Sequence, residues 1–314
     1  MKKKILITYN LPREGFAELT EDFELIFPEN DSFSKAEVLE RVGECDALLS
    51  MFNFVIDKEI IDAGKQLKII SNFGVGFNNV DFEYAREKGV MVTNTPDPVV
   101  EPTAEMAFAL MLATARRVSE CDRKLRDAAS GLKWGVMENL GVGLNGKTLG
   151  VVGLGRIGKA IARRAEAFGM KVVYHNRRET EAGNATYCST LDELLNVSDF
   201  VSLNVPLTDE TRHLIDADAL KKMKPSAILI NTARGPVVDE QALADALKNR
   251  TIRAAGLDVF ENEPAVCPQL LTLDNVVLAP HNGTATIDAR IEMSRFAARN
   301  IINFFDGGKI TCVW

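Results

Sequence analysis

Short apolar segments alternate with amphipathic segments along the first hundred residues. The apolar segments do not alternate polar and apolar positions, which indicates strands that are buried on both faces of a parallel sheet. The amphipathic segments between them are typical of the helices that connect parallel strands. The pattern predicts a doubly wound domain with strands at ILITY, FELIF, DALLSM, LKIISNF and VMVTN and helices near 12–22, 34–44, 57–65 and 80–88.

A second series of the same kind begins at Lys147. Its six apolar segments again lack a period of two, so a second parallel sheet is expected. The predicted strands are TLGVVG, KVVYH, DFVSLNV, AILINTA, AAGLDVF and NVVLAP, and the predicted helices lie near 157–168, 191–196, 216–222 and 239–248.

Two longer helical segments connect the series. One is predicted over 101–127, and its apolar part, 104–115, should be buried between domains or subunits. The other, 285–305, has apolar residues at helical spacing and is expected to return to the first domain. We therefore predict an α/β protein with one domain at 1–98 plus 287–314 and another at 99–286.

The composition agrees with a two-domain protein and argues against nucleic-acid-binding, disulfide-rich and metal-binding proteins. The chain has 314 residues, 46% of them hydrophobic, which exceeds the usual size of a single core. The net charge is -7 and the basic residues are dispersed, so a nucleic-acid partner is not expected. The five cysteines are far apart and odd in number, which fits neither a disulfide framework nor a metal site.

No membrane partner is expected from the sequence either. The longest apolar run, 106–115, is much shorter than the roughly 20 residues that cross a bilayer. The apolar stretch after the first lysines is too short for a signal peptide. We expect a cytoplasmic protein.

Two stretches match G-x-G-x-x-G, and only one has the required context. The stretch at 141–146 precedes a strand and is interpreted as a loop. The stretch at 153–158, GLGRIG, follows a strand and opens a helix. Gly153 would allow the tight turn, Gly155 the approach of a pyrophosphate, and Gly158 the packing of helix on strand. Arg156 and Ile157 then lie at the helix N-terminus, where an anion is favoured.

The strand after this loop ends in His175, Asn176, Arg177 and Arg178. An acidic residue at this place binds the 2′-hydroxyl of NAD, whereas arginine accommodates the 2′-phosphate of NADP. Guanidinium groups bind phosphate through charge-assisted hydrogen bonds. We expect Asn176, Arg177 and Arg178 to favour NADP, although NAD remains possible if both arginines are solvated loop charges.

Three charged side chains follow separate strands of the second series. Arg234 follows AILINTA, Glu263 follows AAGLDVF, and His281 follows NVVLAP. His175 and His213 are the other histidines, and neither follows a strand on the expected substrate side. Because ligands collect at the carboxyl ends of parallel strands, the three are candidates for one catalytic site.

Seven motifs are distributed over most of the chain: SNFGVGFNNVD, VTNTPD, GLGRIG, PLTDETRHLI, NTARG, GLDVFENEP and PHNGTAT. By these motifs the chain resembles the D-isomer-specific 2-hydroxyacid dehydrogenase family. The resemblance implies a Rossmann domain inserted into a flavodoxin-like substrate domain, and a homodimer joined through 101–127. It also implies transfer of a hydride between a nicotinamide cofactor and a 2-keto acid.

By the same resemblance, Arg234 binds the substrate carboxylate, His281 is the general acid, and Glu263 hydrogen-bonds its other ring nitrogen. A carboxylate beside an imidazole favours its protonated form. Further positions are carried over from the family pattern. Cofactor contacts are implied for Thr103, Val205, Ala233 and Asp258, and substrate contacts for Val75 and Gly76 beside Arg234 and His281.

The substrate is expected to be small. The strand end YHNRR is similar to that of NADPH-preferring glyoxylate and hydroxypyruvate reductases of the family, and Phe52 would limit the size of the pocket. Activity on D-lactate or 2-ketogluconate is an alternative, as is a dinucleotide-sensing interaction protein of the corepressor type. Asn204 and Asn282 depart from the commoner family residues, which leaves the adenine contacts and the role of Asn282 open.

Overall fold

The computed structural model describes residues 2–19 and 22–313. The chain forms two compact units, Met1–Pro102 with Thr284–Trp314, and Thr103–Gly283. The domain boundaries that the sequence predicts, 98/99 and 286/287, stay a prediction, because compactness alone does not show that each part folds by itself.

The first unit contains a sheet of five parallel strands. They are β1 Lys3–Ile7, β2 Phe23–Ile26, β3 Ala47–Met51, β4 Ile69–Phe73 and β5 Met91–Thr93, in the order β2-β1-β3-β4-β5. Every residue of β3 and β4 is buried. The lack of period-two alternation therefore correctly indicated strands covered on both faces.

Three helices of the first unit begin at polar caps. They are α1 Lys35–Val42, α2 Lys58–Ala63 and α3 Phe82–Glu87. Ser34 forms a capping box with Glu37, and Asp57 and Asp81 each accept a backbone N–H of the first turn. These caps satisfy N–H groups that have no partner inside a helix.

A helical segment that starts at Val100 and runs into the second unit is not continuous. The structure has α4 Val100–Ala115 and α5 Val118–Arg126 where one helix was predicted over 101–127. Arg117 adopts a left-handed conformation with φ of 56°. The Ala115 carbonyl accepts the N–H of Val142 at 2.8 Å, so the helix ladder loses an acceptor there. Gly141 allows this approach, because a Cβ on it would lie 2.5 Å from the same oxygen.

The second sheet has seven parallel strands, so the prediction of six was wrong. The additional strand consists of two residues at the edge of the sheet, too few to produce a hydrophobic pattern. The strands and helices are β6 Thr148–Val152, α6 Arg156–Ala167, β7 Lys171–His175, β8 Thr186–Tyr187, α7 Leu191–Val197, β9 Phe200–Leu203, α8 Ala217–Lys222, β10 Ile228–Asn231, α9 Glu240–Lys248, β11 Ala254–Leu257 and β12 Val276–Leu278.

The order of this sheet, β12-β11-β10-β9-β6-β7-β8, places the β6–α6 turn where the strand order reverses. Such a switch point is the usual ligand crevice of a doubly wound sheet. The predicted fold class, two parallel-sheet α/β domains, is thus confirmed.

The last helix, α10 Ile287–Asp306, packs within the first unit, as its apolar spacing predicted. The Ser71 hydroxyl donates to the Ala297 carbonyl, and the Asn300 amide donates to the Asn94 carbonyl. Near its middle, α10 lies against Gly15, where a Cβ would be 2.2 Å from the Ser294 Cβ.

The contact at Gly15 accompanies a third correction, which concerns the first predicted helix. The helix predicted near 12–22 is a 3-10 helix, Arg13–Leu19, and residues 20 and 21 lie outside the described residues. Gly15 lowers the helix propensity of this short segment, and its close approach to α10 fixes the backbone there.

Gly15→Ala is expected to lower the free energy of unfolding by about 1–3 kcal/mol, the usual cost of adding a methyl group to a filled core. Gly143→Ala is the matched control, because a Cβ there has no described heavy atom within 4 Å. Urea unfolding of both variants checks this. Equal midpoints for Gly15→Ala and the wild type would contradict the proposed packing.

Candidate functional site

Two of the three glycines of the β6–α6 turn occupy positions where a side chain would collide with backbone. Gly153 has φ of 94°, and a Cβ on it would lie 2.7 Å from the Asn204 carbonyl oxygen. A Cβ on Gly158 would lie 2.3 Å from the Gly153 oxygen. A Cβ on Gly155, in contrast, would have no described heavy atom within 4 Å. The backbone is therefore open where a diphosphate would approach.

The N-terminus of α6 offers donors beside Gly155. Gly155 is the N-cap residue, and it has no side chain that could cap the first N–H groups of the helix. Arg156 is exposed, Ile157 is half-buried, and Gly158 is buried at this end of the helix. Together with the helix dipole, this arrangement fits a dinucleotide pyrophosphate.

The end of β7 is joined to the glycine turn by hydrogen bonds. Gly153 donates its N–H to the His175 carbonyl at 3.0 Å, and Leu154 donates its N–H to Asn176 Oδ1 at 2.7 Å. Asn176 therefore holds the turn in place. The exposed Arg177 and Arg178 form no ion pair within the described residues, so their guanidinium groups face solvent next to the turn.

Two of the remaining positions implied for the cofactor follow the carboxyl ends of strands in the second sheet. Val205 follows β9 and flanks Gly153, with its Cγ1 3.0 Å from where a Gly153 Cβ would be. Ala233 follows β10 and is buried, as is Thr103 in α4. Asn204 Oδ1 and Thr232 Oγ1 are buried without a hydrogen-bond partner among the described residues. Sequence reasoning did not single out Thr232, because its burial is visible only in the structure.

His281 and Glu263 form a direct hydrogen bond, with 2.7 Å between His281 Nδ1 and Glu263 Oε2. The other carboxylate oxygen, Oε1, accepts the N–H of Phe260 at 3.0 Å. Burial by itself would raise the pKa of Glu263. The hydrogen bond and the positive charge of His281, the Phe260 N–H and the charge of Arg234 outweigh burial, so the pKa of Glu263 is lowered. Glu263 is therefore an ionised acceptor that fixes one ring nitrogen of His281.

Asp258 holds the loop that carries His281. Its backbone oxygen accepts the His281 N–H at 2.8 Å, and its two carboxylate oxygens accept the N–H groups of Asn282 and Gly283, each at 2.8 Å. Burial raises the pKa of Asp258, although these donors oppose the shift. His281 has φ of 52° in this loop. The sequence suggested a cofactor contact for Asp258 and missed its role in shaping the loop.

Arg234 follows β10 in a turn that packs closely on the Glu263 turn. A Cβ on Gly235 would lie 1.9 Å from the Phe260 carbonyl carbon, so only glycine permits this contact. Arg234 Nη1 donates to the Ala233 carbonyl at 2.6 Å. Burial lowers the pKa of Arg234 and the charge of Glu263 opposes this. The structure thus brings Arg234, Glu263 and His281 into one electrostatic cluster.

A second histidine pairs with a second glutamate of the same turn. His213 Nε2 lies 2.5 Å from Glu261 Oε1. The Glu261 N–H donates to Glu240 Oε1, also at 2.5 Å, so this pair belongs to a network that secures the 260–263 turn. His213 itself is exposed. The sequence excluded it from the site, and it provides a natural control for His281.

The predicted substrate residues of the first unit lie after β3 and β4. Asn72 and Asn94 donate their side-chain amides to the Gly76 and Val75 carbonyls, each at 2.8 Å. The N–H groups of Val75 and Gly76 donate to no acceptor in the described part of the chain. Phe52 lies against Gly74, with its Cβ 3.4 Å from where a Gly74 Cβ would be. The loop can thus offer two N–H groups to an anion.

Among the helices of the described residues, none is long and apolar enough to cross a bilayer. Within residues 2–19 and 22–313, no group of three or more histidine, cysteine or acidic side chains could hold a metal ion.

Comparison with known proteins gives a consistent result. Residues 108–283 match the family described as D-isomer specific 2-hydroxyacid dehydrogenase, NAD binding domain. A glyoxylate reductase of Thermococcus onnurineus is 48% identical over 314 residues, covering 98% of this chain and 94% of that protein.

Solved structures agree over the full length. The TT0316 protein of Thermus thermophilus has a TM-score of 0.92 and 41% identity, covering 99% of this chain and 100% of that one. An NADPH-dependent glyoxylate/hydroxypyruvate reductase of Sinorhizobium meliloti, solved with NADP and malonate, has a TM-score of 0.88 and 36% identity, covering 100% and 97%. The chain therefore belongs to the D-isomer specific 2-hydroxyacid dehydrogenase family and is an NAD(P)-dependent oxidoreductase.

Proposed function

We propose that the protein reduces small 2-keto acids to D-2-hydroxy acids with NADPH, and that glyoxylate or hydroxypyruvate is its substrate. The observation that carries this proposal is the His281–Glu263 hydrogen bond in a cluster with Arg234. Reduction of a keto group needs one proton donor and one fixed cation, and this cluster contains both.

His281 is the proton donor in this proposal. Glu263 accepts a hydrogen bond from Nδ1, and we assign delivery of the proton to the keto oxygen to Nε2. The negative charge of Glu263 stabilises the imidazolium before the transfer. A bound nicotinamide dinucleotide supplies the hydride that reaches the keto carbon.

Arg234 and the loop at Val75 and Gly76 are the proposed anion ligands. The guanidinium has five N–H donors in a fork that matches a carboxylate, and Arg234 uses one nitrogen on the Ala233 carbonyl. The N–H groups of Val75 and Gly76, which donate to no acceptor within residues 2–19 and 22–313, are proposed as further donors. A carboxylate held this way keeps the neighbouring keto group oriented toward the acid.

The preference for NADPH rests on the end of β7. Arg177 and Arg178 are exposed, and Glu179 is the first acidic residue after the strand. Asn176 is engaged with Leu154 and holds the glycine turn rather than competing for a phosphate. We assign the 2′-phosphate to the two arginines.

Two of the three relatives named above support the choice of substrate, since one is a glyoxylate reductase and the other a glyoxylate/hydroxypyruvate reductase. Activity on D-lactate or 2-ketogluconate is the runner-up within the family. We also propose a homodimer in the cytoplasm.

An initial-rate panel of glyoxylate, hydroxypyruvate, pyruvate and 2-ketogluconate with each cofactor tests the assignment of the substrate. Absence of turnover with every keto acid would favour a dinucleotide-sensing protein instead.

His281→Ala is expected to lower kcat about 10²- to 10⁴-fold, the usual contribution of a general acid, while cofactor binding is retained. His213→Ala is the matched control, because it removes the other histidine–glutamate pair of the same turn. Steady-state rates and NADPH fluorescence titration check both variants. Equal losses of kcat in the two variants would remove His281 from the chemistry.

Replacing Arg177 and Arg178 together by alanine is expected to raise the KM for NADPH about tenfold or more, since each lost contact is a hydrogen bond to a charged group. The KM for NADH should change little, because NADH has no 2′-phosphate. Initial rates with both cofactors on one enzyme preparation provide the internal control. An equal rise for the two cofactors would refute the assignment.

A further inference from the structure

The loop over residues 261–267 carries Glu263, the partner of His281. The middle of the loop, residues 262–265, is exposed, so packing on the protein core holds it only weakly. The 2.7 Å hydrogen bond between Glu263 and His281 nevertheless requires the loop to keep one position. That position depends on how the two ends of the loop are bound.

Glu240 binds both ends of this loop. One carboxylate oxygen, Oε1, accepts the N–H of Glu261 at 2.5 Å, and the other, Oε2, accepts the N–H of Cys267 at 3.2 Å. The backbone N–H of Glu240 donates in return to Oε2 of Glu261 at 3.3 Å. A single side chain thus connects the first and the last backbone N–H of the loop.

The burial of Glu240 is explained by this contact and not by the helix to which it belongs. Glu240 is the first residue of α9, but the cap of α9 is Asp239, whose side chain accepts the N–H of Ala242 at 2.9 Å. The helix dipole favours an acidic residue in the first turn without any need for burial. Glu240 is only 6% exposed. A buried carboxylate is costly unless donors bind it, and the loop supplies two donors.

The carboxylate and the loop stabilise each other. Burial raises the pKa of Glu240, and the charges of Glu261 and Glu263 act in the same direction. The N–H groups of Glu261 and Cys267 oppose this rise. The same two hydrogen bonds therefore hold the loop and favour the ionised form of Glu240.

The segment that leads into α9 also carries Arg234. Gly235 packs against Phe260, the residue before the loop, and Glu240 binds the loop itself. Residues 234–240 are therefore joined to the loop region at two points. This arrangement connects the segment that carries the proposed anion ligand to the loop that carries Glu263.

We propose that Glu240 is a positioning residue for the proton donor: by holding both ends of the loop, it keeps Glu263 within hydrogen-bond distance of His281. This inference rests on the proposed function. Glu240 acts through Glu263 and is not itself a catalytic residue. His213 differs from it, because His213 binds the side chain of Glu261, and its loss leaves both backbone hydrogen bonds in place.

Glu240→Gln tests the proposal while it retains the shape of the side chain. The amide has one oxygen that accepts and one NH₂ group that cannot, so one end of the loop loses its acceptor. We expect kcat for glyoxylate reduction to fall about 10- to 100-fold, because a small displacement of catalytic groups has effects of this size. The KM values for glyoxylate and NADPH should change less than about twofold. A rise in KM with an unchanged kcat would contradict the proposal.

A double-mutant cycle with Glu263→Gln separates positioning from a general structural effect. If Glu240 acts through Glu263, then Glu240→Gln should lower kcat less than about twofold in the Glu263→Gln background. Equal losses of kcat in the two backgrounds would show that Glu240 acts independently of Glu263, and the proposal would be wrong. Should Glu240→Gln fail to fold, Glu240→Asp takes its place in the cycle. Its shorter side chain keeps both acceptor oxygens, so a smaller loss of kcat with the same dependence on Glu263 is expected.

Glu193→Gln is the matched control. Glu193 also lies in the first turn of a helix of the second unit, and its carboxylate accepts a backbone N–H, that of Ser189 at 2.9 Å. It should leave kcat unchanged.

Deuterium exchange into the folded enzyme examines the loop without any substrate. In Glu240→Gln, the backbone N–H groups of residues 261–267 should exchange faster than in the wild type, whereas those of β10 should not. Unchanged exchange over 261–267 would show that Glu240 does not hold the loop, whether or not the enzyme is active. Absence of turnover by the wild type with every keto acid and either cofactor would instead refute the proposed function.

Discussion

The Glu263 carboxylate is partly desolvated, and it stays ionised because the hydrogen bond and charge of His281, the Phe260 N–H and the charge of Arg234 compensate for the lost water. The hydrogen bond from His281 also fixes the orientation of the imidazole. Asp258, which is buried, adds a second constraint, because its carboxylate binds the two N–H groups that follow His281. These two carboxylates therefore determine where the proposed acid lies.

The parallel sheet explains why these residues meet. The three candidate catalytic residues follow three neighbouring parallel strands, so they lie on the same side of the sheet, beyond the carboxyl ends of the strands. Arg234 follows β10, Glu263 follows β11, and His281 follows β12. Gly235 then lets the first turn contact the second. In the first unit, β3 and β4 end in the same way beside Phe52 and the loop at Val75 and Gly76. Each unit thus presents its donors at the carboxyl ends of its strands, as doubly wound sheets generally do.

Much of this could be predicted from the sequence. Strands buried on both faces give long apolar segments, so the two sheets were recognised, and the glycine turn was distinguished from the stretch at 141–146 by its position between strand and helix. The edge strand β8 was missed because two residues are too few to show a hydrophobic periodicity. The break at Arg117 was missed because its cause is a hydrogen bond from Val142, distant in sequence.

Prediction of the site from the sequence is limited in the same way. Residue type and position after a strand indicated Arg234, Glu263 and His281. The sequence could not show that Asp258 binds the His281 loop, that Asn176 holds the glycine turn, or that the buried Glu240 binds the loop that carries Glu263. Each of these depends on which atoms are buried together, and burial of a particular polar atom leaves no pattern in the sequence.

The most direct test of the central claim is the rate of keto acid reduction in Glu263→Gln. Glutamine still accepts a hydrogen bond but carries no charge, so the attraction between Glu263 and His281, which lowers the pKa of Glu263, is lost. We expect kcat to fall while cofactor binding is retained. If the variant gives the wild-type rate, the pairing of Glu263 with His281 does not serve proton transfer, and this account of the site is wrong.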